Sequence, residues 1–258
     1  MVMDTLILGG DARMSTLATL LRRAGEDAQF IDDAGVARRL LPEARRVVTN
    51  NPPRLPLTLE AVRNLTAPDT ELVLCGPQLT DDPAALDLWK DETLLLENAR
   101  FTAEGAVSAA MRASQRSFKN LPCAVIGWGR IGSALTELLV ALGADVTVIS
   151  RTPAHRNRAI ERGAKAIPME QLPLILKDAR LIFSTPPAMV LEAERLERVN
   201  RDALIIDLAS PPYGVDLAAA WKLGLRAWRE PGLPGRYCPE SAAEALLDAM
   251  KRGRETHD

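Results

Sequence analysis

The chain has 258 residues, is 47% hydrophobic, and carries 32 basic against 34 acidic side chains for a net charge of −2. That composition supports one large or two small buried cores. It excludes the one-sided basic footprint of a nucleic-acid or membrane-surface binder. Pairs such as Arg22-Arg23, Arg38-Arg39 and Arg45-Arg46 lie among acids and read as solvated helix faces. No apolar run approaches a membrane span. Met1-Val2-Met3-Asp4 lacks a charged n-region and a cleavage site, so no secretory signal is expected and the setting is cytoplasmic. Cys75, Cys123 and Cys238 have no metal or redox spacing and read as reduced thiols, the first two in the core.

The first half reads as a separate α/β unit. Thr5 to Leu8 is a strand running into Gly9-Gly10-Asp11, followed by a helix with Leu17, Leu20 and Leu21 on one face and Gly25 at its end. Further strands are expected at Gln29–Ile31, Arg46–Thr49, Glu71–Cys75 and Thr93–Leu96. Asn51-Pro52-Pro53-Arg54-Leu55-Pro56 is a loop. From Thr102 to Phe118 small and apolar residues recur at helical spacing, with Thr102 placed to cap a connecting helix.

Cys123-Ala124-Val125-Ile126-Gly127-Trp128-Gly129-Arg130-Ile131-Gly132 then reads as a buried strand ending in Gly-x-Gly-x-x-Gly. Gly127 allows a tight turn, Gly129 lets the backbone approach a pyrophosphate, and Gly132 lets the next helix pack close to the strand. Leu135, Leu138, Leu139 and Leu142 continue that helix, and Ala144–Ile149 is the next strand. The alternation goes on: helix Pro153–Arg162, strand Ala164–Ile167, helix Leu172–Leu176, strands Arg180–Ser184 and Ala203–Asp207, helix Leu217–Leu223, strand Leu225–Trp228. An amphipathic helix from Glu240 to Arg252 ends the pattern.

Strands alternating with helices imply parallel sheets covered on both faces. The expected fold class is therefore α/β: two doubly wound, Rossmann-like parallel-sheet domains joined by a long helix, with a cleft between them. Residues 1–101 form a flavodoxin-like or Rossmann-like substrate domain, 102–118 the linker helix and 119–239 the dinucleotide-binding domain. The helix within 240–258 crosses back to the first domain.

The strand after the fingerprint ends in Ser150-Arg151-Thr152, with no carboxylate to accept a ribose 2′-hydroxyl. Arg151 and the two hydroxyls suit a 2′-phosphate, which favours NADP, with NAD possible. Arg130 lies along the pyrophosphate, and Thr185-Pro186 follow a strand at the same edge. Histidine usage narrows the reaction. His155 follows the cofactor strand and His257 is near the last residue, so neither is placed for acid–base work at a nicotinamide. A hydroxyacid dehydrogenase using a His/Glu pair is therefore not expected, despite similar architecture. Neither a Ser-His-Asp constellation nor a metal cluster is visible. Asp11 and Arg13 read either as a carboxylate-binding pair at a helix N-terminus or as an N-cap beside a surface arginine. Glu97 to Gly105 brings polar groups, among them Thr102 and Glu104, to the junction. Asp207-Leu208-Ala209-Ser210 ends a strand, where Asp207 either faces chemistry or satisfies backbone donors. Pro231-Gly232-Leu233-Pro234-Gly235 reads as a rigid loop, its N–H groups facing an anion or closing a turn.

On Gly9-Gly10-Asp11-Ala12-Arg13, Glu97-Asn98 with Thr102-Ala103-Glu104-Gly105-Ala106, Gly127 to Gly132, Ile206-Asp207-Leu208-Ala209-Ser210 and Pro231 to Gly235, the chain resembles the dipicolinate synthase A-subunit family. The resemblance covers most of the chain. It implies a cytosolic NAD(P)-dependent enzyme of sporulation that oxidises a dihydrodipicolinate-type ring to pyridine-2,6-dicarboxylate. Such an enzyme works with the flavoprotein-like B-subunit of dipicolinate synthase; separately, a homo-oligomer is expected. On that reading Asp11, Arg13, Thr102, Ser210 and Gly235 face substrate, and Glu104 or Asp207 accepts the proton. Two alternatives stand beside it: another NADP-dependent oxidoreductase acting on a small carboxylate, or a non-catalytic nucleotide-binding or sensing subunit. The sequence departs from the family at Pro212-Tyr213-Gly214-Val215-Asp216, where Tyr213 replaces a glycine, and at Cys238-Pro239 and Ala242-Ala243.

Overall fold

The computed structural model describes residues 3–78, 80 and 82–255. In chain order the first elements are β1 (Met3–Leu8), α1 (Ala12–Arg23), β2 (Ala28–Ile31), α2 (Ala34–Leu40), β3 (Ala44–Asn50), α3 (Leu59–Leu65), β4 (Glu71–Cys75), β5 (Ala85–Asp87) and α4 (Glu92–Ser114). They continue as β6 (Pro122–Ile126), α5 (Arg130–Ala141), β7 (Asp145–Ile149), α6 (Pro153–Glu161), β8 (Lys165–Ile167), α7 (Leu172–Leu176), β9 (Leu181–Ser184), α8 (Ala193–Leu196), β10 (Leu204–Asp207), α9 (Leu217–Lys222), β11 (Arg226–Arg229), α10 (Leu233–Tyr237) and α11 (Pro239–Glu255). The chain divides into two compact units. One runs to Asn98 and resumes at Pro234; the other is Ala99–Leu233.

Each unit is built on a parallel sheet. The first has strand order β2-β1-β3-β4-β5 and the second β11-β10-β9-β6-β7-β8, and the neighbouring strands run parallel in both. The two Rossmann-like α/β sheets expected from the sequence are thus present. A strand covered on both faces needs no polar alternation. Leu6, Ile7 and Leu8 are accordingly all buried, as are Leu204, Ile205 and Ile206. In the first unit Leu17, Ala18 and Leu21 of α1 meet Ala243, Leu246, Ala249 and Met250 of α11 in one apolar cluster. Arg252 of α11 also donates to Asp91 at 2.6 Å, just before α4.

The expected strand at Thr93–Leu96 is instead the first turns of α4. The carboxylate of Asp91 accepts the backbone N–H groups of Thr93 and Leu94, the bonds of a helix N-cap. Leu94 is buried while Leu96 is 52% exposed, a helical rather than a flat distribution. A run of three leucines has no period of its own, so the cap decides. Thr102 consequently lies inside α4 and caps nothing, and the helix ends at Ser114 rather than 118, where Gln115 turns to φ +53°. The fifth strand of the first sheet is the short Ala85–Asp87. Pro231 to Gly235 is not wholly a loop either, since α10 begins at Leu233. His257 lies outside the described residues.

Candidate dinucleotide site and strand-end aspartates

The fingerprint turn of the second unit follows β6. Gly127 sits at φ +99°, a left-handed conformation that favours glycine. A Cβ there would also come within 3.0 Å of the Thr185 hydroxyl. Thr185 in turn donates from its hydroxyl to Ile126 O at 2.9 Å. Thr185-Pro186 are therefore packed onto the turn. A Cβ on Gly132 would fall within 3.0 Å of Gly127 O, so α5 lies hard against the turn. Gly129 is different, because nothing lies within 4 Å of its Cβ position. It is the N-cap of α5 and supplies no side chain to bond the first N–H groups. The helix end thus presents donors and its positive dipole end to open space, which fits an approaching pyrophosphate. Trp128 and Ile131 are partly exposed, and Arg130 is exposed at the first position of α5.

At the end of β7, Ser150 is buried while Arg151 and Thr152 are exposed. Thr152 is the N-cap of α6 and its hydroxyl makes no capping bond. Arg156, absent from the residues expected at this site, donates from Nη1 to Ser150 O at 2.8 Å and Arg151 O at 2.9 Å. One guanidinium therefore folds the strand end and brings a second positive charge to it. A basic residue one helical turn into α6 was the available signal. His155 is half-buried in the same helix.

At the end of β10, Asp207 has a fully buried side chain. Its oxygens accept N–H bonds from Ala209 at 3.2 Å, Gly214 at 3.2 Å and Val215 at 3.2 Å. Arg229 Nε lies 3.6 Å from Oδ2. Burial pushes the carboxyl above its ordinary value, an effect only partly offset by the N–H bonds and by Arg229. Of the two roles read from sequence, satisfying backbone donors is the one this geometry performs. Gly214 is pressed against Ser184, whose buried hydroxyl has no hydrogen-bond partner among the described residues. Tyr213 takes φ +70°, a left-handed conformation suited to glycine. Its ring lies 3.8 Å beneath the Arg229 guanidinium. Ser210 is exposed, and its carbonyl accepts Tyr213 N–H at 2.9 Å.

In the first unit, β1 leads into Gly9-Gly10, and Asp11 caps α1 by accepting Arg13 N–H at 3.1 Å. Asp11 also takes Arg13 Nε at 2.9 Å and Nη2 at 2.8 Å, while Arg13 Nη1 donates to Asn98 Oδ1 at 3.1 Å. Arg13 is thus largely buried and oriented by two side chains rather than loose on the surface. Among the described residues three of its five N–H groups are engaged, and two remain for an acceptor. Burial raises the Asp11 carboxyl, but the bonds and charge of Arg13, with Arg54 nearby, outweigh it and leave the group below its ordinary value. Gly235 of α10 packs directly on the Asp11 carboxylate, where any Cβ would clash. Asn50 at the end of β3 donates to Cys75 O at 2.7 Å, and its buried Oδ1 has no partner among the described residues. A strand-end rule applied to β3 would have found Asn50. Thr102 is buried and Glu104 exposed, both mid-helix in α4 and assigned to the second unit. Cys75 and Cys123 are buried, and burial pushes both thiols up to about 12, so neither is a nucleophile at neutral pH.

The family model described as D-isomer specific 2-hydroxyacid dehydrogenase, NAD binding domain, matches residues 84–212. The chain is similar to the dipicolinate synthase A-subunit of Bacillus subtilis (strain 168), with 32% identity over 165 residues, 64% of this chain and 56% of that protein. The aligned segment thus spans little more than half of that relative's length. Among solved structures, the dipicolinate synthase A-subunit from Bacillus halodurans superposes with a TM-score of 0.81 at 23% identity, covering 97% of each chain. A D-isomer specific 2-hydroxyacid dehydrogenase from Xanthobacter autotrophicus Py2, in complex with NADPH and MES, superposes with a TM-score of 0.58 at 19% identity over 99% of this chain and 96% of that one. Among the described residues, no helix is long and apolar enough to cross a membrane.

Proposed function

We propose, for a chain that belongs to the D-isomer specific 2-hydroxyacid dehydrogenase NAD-binding-domain family, that it is a cytoplasmic NADP-dependent oxidoreductase converting a dihydrodipicolinate-type ring to pyridine-2,6-dicarboxylate. The observation that carries the cofactor part is the open Gly129 N-cap of α5, held between two glycines whose Cβ positions are blocked. A bound nicotinamide dinucleotide would supply the two-electron acceptor. NADP is preferred because Arg151 and Arg156 stand where an NAD site places a carboxylate.

The substrate part rests on the similarity to the dipicolinate synthase A-subunit and on Arg13. Aromatisation of the ring is downhill, so the protein's larger task is holding a dicarboxylate in place. Arg13, oriented by Asp11 and Asn98, keeps two N–H groups for one carboxylate. Thr102, Ser210 and the backbone at Gly235 complete the proposed substrate set. Glu104 is the proposed proton acceptor. Asp207 holds the 208–215 turn instead, since its oxygens are already bonded. A His/Glu pair has no place in this scheme, because His155 belongs to α6 beside the cofactor strand. The proposal extends to a role in sporulation as a homo-oligomer working with a flavoprotein-like B-subunit; the relative's name itself gives only a subunit of a synthase.

The test mixes purified protein, a candidate B-subunit, NADP and the condensation product of pyruvate with aspartate semialdehyde. Pyridine-dicarboxylate absorbance should appear, and Arg13→Ala should raise the substrate KM without moving NADP affinity. Dinucleotide binding with no turnover would instead support a sensing role, and turnover of another small carboxylate would reassign the substrate.

A further inference from the structure

The pole of the second sheet opposite the fingerprint turn carries a cavity of about 250 Å³ lined by Arg116, Arg180, Arg201, Arg226, Asp202 and Ser114, with three leucines. Four guanidiniums face one carboxylate, a local formal charge of +3. Arg180 immediately precedes β9, and Arg226 opens β11. Gly127, Ser184 and Asp207 all lie at or beyond the other, C-terminal ends of their strands, so this cavity is separate from the dinucleotide turn.

Three of the arginines are anchored through one nitrogen each. Arg180 Nη1 donates to Asn200 Oδ1 at 2.8 Å and Asp202 Oδ2 at 3.2 Å. Arg226 Nη2 donates to Ala113 O at 2.9 Å, capping the end of α4. Arg201 Nη1 donates to Leu223 O. These bonds fix the side chains and leave Nε and the second terminal nitrogen of each fork without a bond among the described residues. The side chain of Arg116 makes no hydrogen bond or ion pair among the described residues. Carbonyl capping therefore accounts for Arg226 and Arg201, and Asp202 for Arg180, but nothing among the described residues accounts for Arg116 or for the convergence of all four. Like charges gathered at one cavity repel, and an anion there relieves the repulsion while meeting donors already held in place. The volume admits about eight waters, enough for a diphosphate group and too little for a whole dinucleotide.

We propose that this arginine cavity is a second anion site, binding a small phosphate-bearing ligand of the diphosphate class. Calorimetric titration with inorganic pyrophosphate and, separately, ADP tests it, each with NADP saturating so that the Gly129 helix end is blocked. Binding should persist under NADP, weaken with added salt, and fall about tenfold in Arg116→Ala, roughly the worth of one charge-assisted contact. Arg116→Gln guards against a packing effect, and an unchanged melting temperature for both variants shows that they fold. Preference for pyrophosphate marks a free phosphate ligand, and preference for ADP a nucleotide whose base lies outside the cavity. Loss of all binding when NADP is saturating, or equal affinity in wild type and Arg116→Ala, would overturn the proposal.

Discussion

The ring of Tyr213 and the guanidinium of Arg229 stack at 3.8 Å, although Tyr213 holds a backbone conformation suited to glycine. The stack is worth about 0.5–2 kcal/mol, and the left-handed backbone costs about 1–2 kcal/mol. Two opposed terms of similar size give distinguishable variants. Tyr213→Gly removes both, and we expect its unfolding free energy to stay within about 1 kcal/mol of wild type. Tyr213→Ala loses the stack and keeps the backbone cost, so it should be less stable by about 1 kcal/mol. Urea denaturation of the pair decides this; equal losses in both would remove the backbone term.

Gly132 and Gly129 are three positions apart and differ in what a methyl group would meet. Gly132→Ala drives Cβ against Gly127 O and should destabilise by about 1–3 kcal/mol, the usual cost of overpacking. Gly129→Ala meets open space, so its melting temperature should be unchanged while dinucleotide affinity falls. Calorimetry on both variants is the check. Normal affinity in a folded Gly129→Ala protein would mean that the pyrophosphate does not approach there.

Arg151 and Arg156 give the strand end its sign. Arg151→Ala should weaken NADP binding by about 1.5–3 kcal/mol, the range for a hydrogen bond to a charged group, and leave NAD affinity unchanged. Arg156→Ala should do the same and also loosen the turn, since its Nη1 holds two carbonyls there. A fall in NAD affinity equal to that for NADP would show that these residues shape the site without reading a phosphate.

The two strand-end aspartates titrate in opposite senses. Asp11 lies below its ordinary value of 3.8 in the folded chain. Its ionised form therefore contributes stability above pH 3.8 that is lost as pH falls through the folded value. Asp207 lies above 3.8, so its protonated form is favoured on folding, and that contribution disappears as pH rises through its folded value. Relative to wild type, Asp11→Asn should lose its disadvantage in acid. Asp207→Asn should instead compare least well with wild type in acid, improving as pH rises. Denaturation of both variants at several pH values from about 3 to 7 tests the signs.

Local chemistry was legible in the sequence where it is encoded locally. The Gly127, Gly129 and Gly132 spacing states a backbone path and a helix contact, and both are present. The strands of the two sheets are written as apolar runs because both faces are covered. Thr93 to Leu96 is ambiguous because its leucines suit either element, and the cap at Asp91 decides for helix. Asp11, Arg13, Asn98 and Gly235 form one cluster across more than two hundred residues of sequence. No pattern in any one segment states that meeting. The same holds for Asp207 and Arg229, neighbours in register on β10 and β11, whose relation follows only from strand order.

The first unit is closed by α11, whose Ala243, Leu246, Ala249 and Met250 complete the cluster over Leu17 and Leu21. Those residues leave the ribosome only after the entire second unit. During synthesis the earlier unit must wait, its α1 face bare, for a helix encoded more than two hundred residues later. The second unit, continuous in sequence, can reach its native state first. The unit that begins first in the chain is thus the one whose core is completed last.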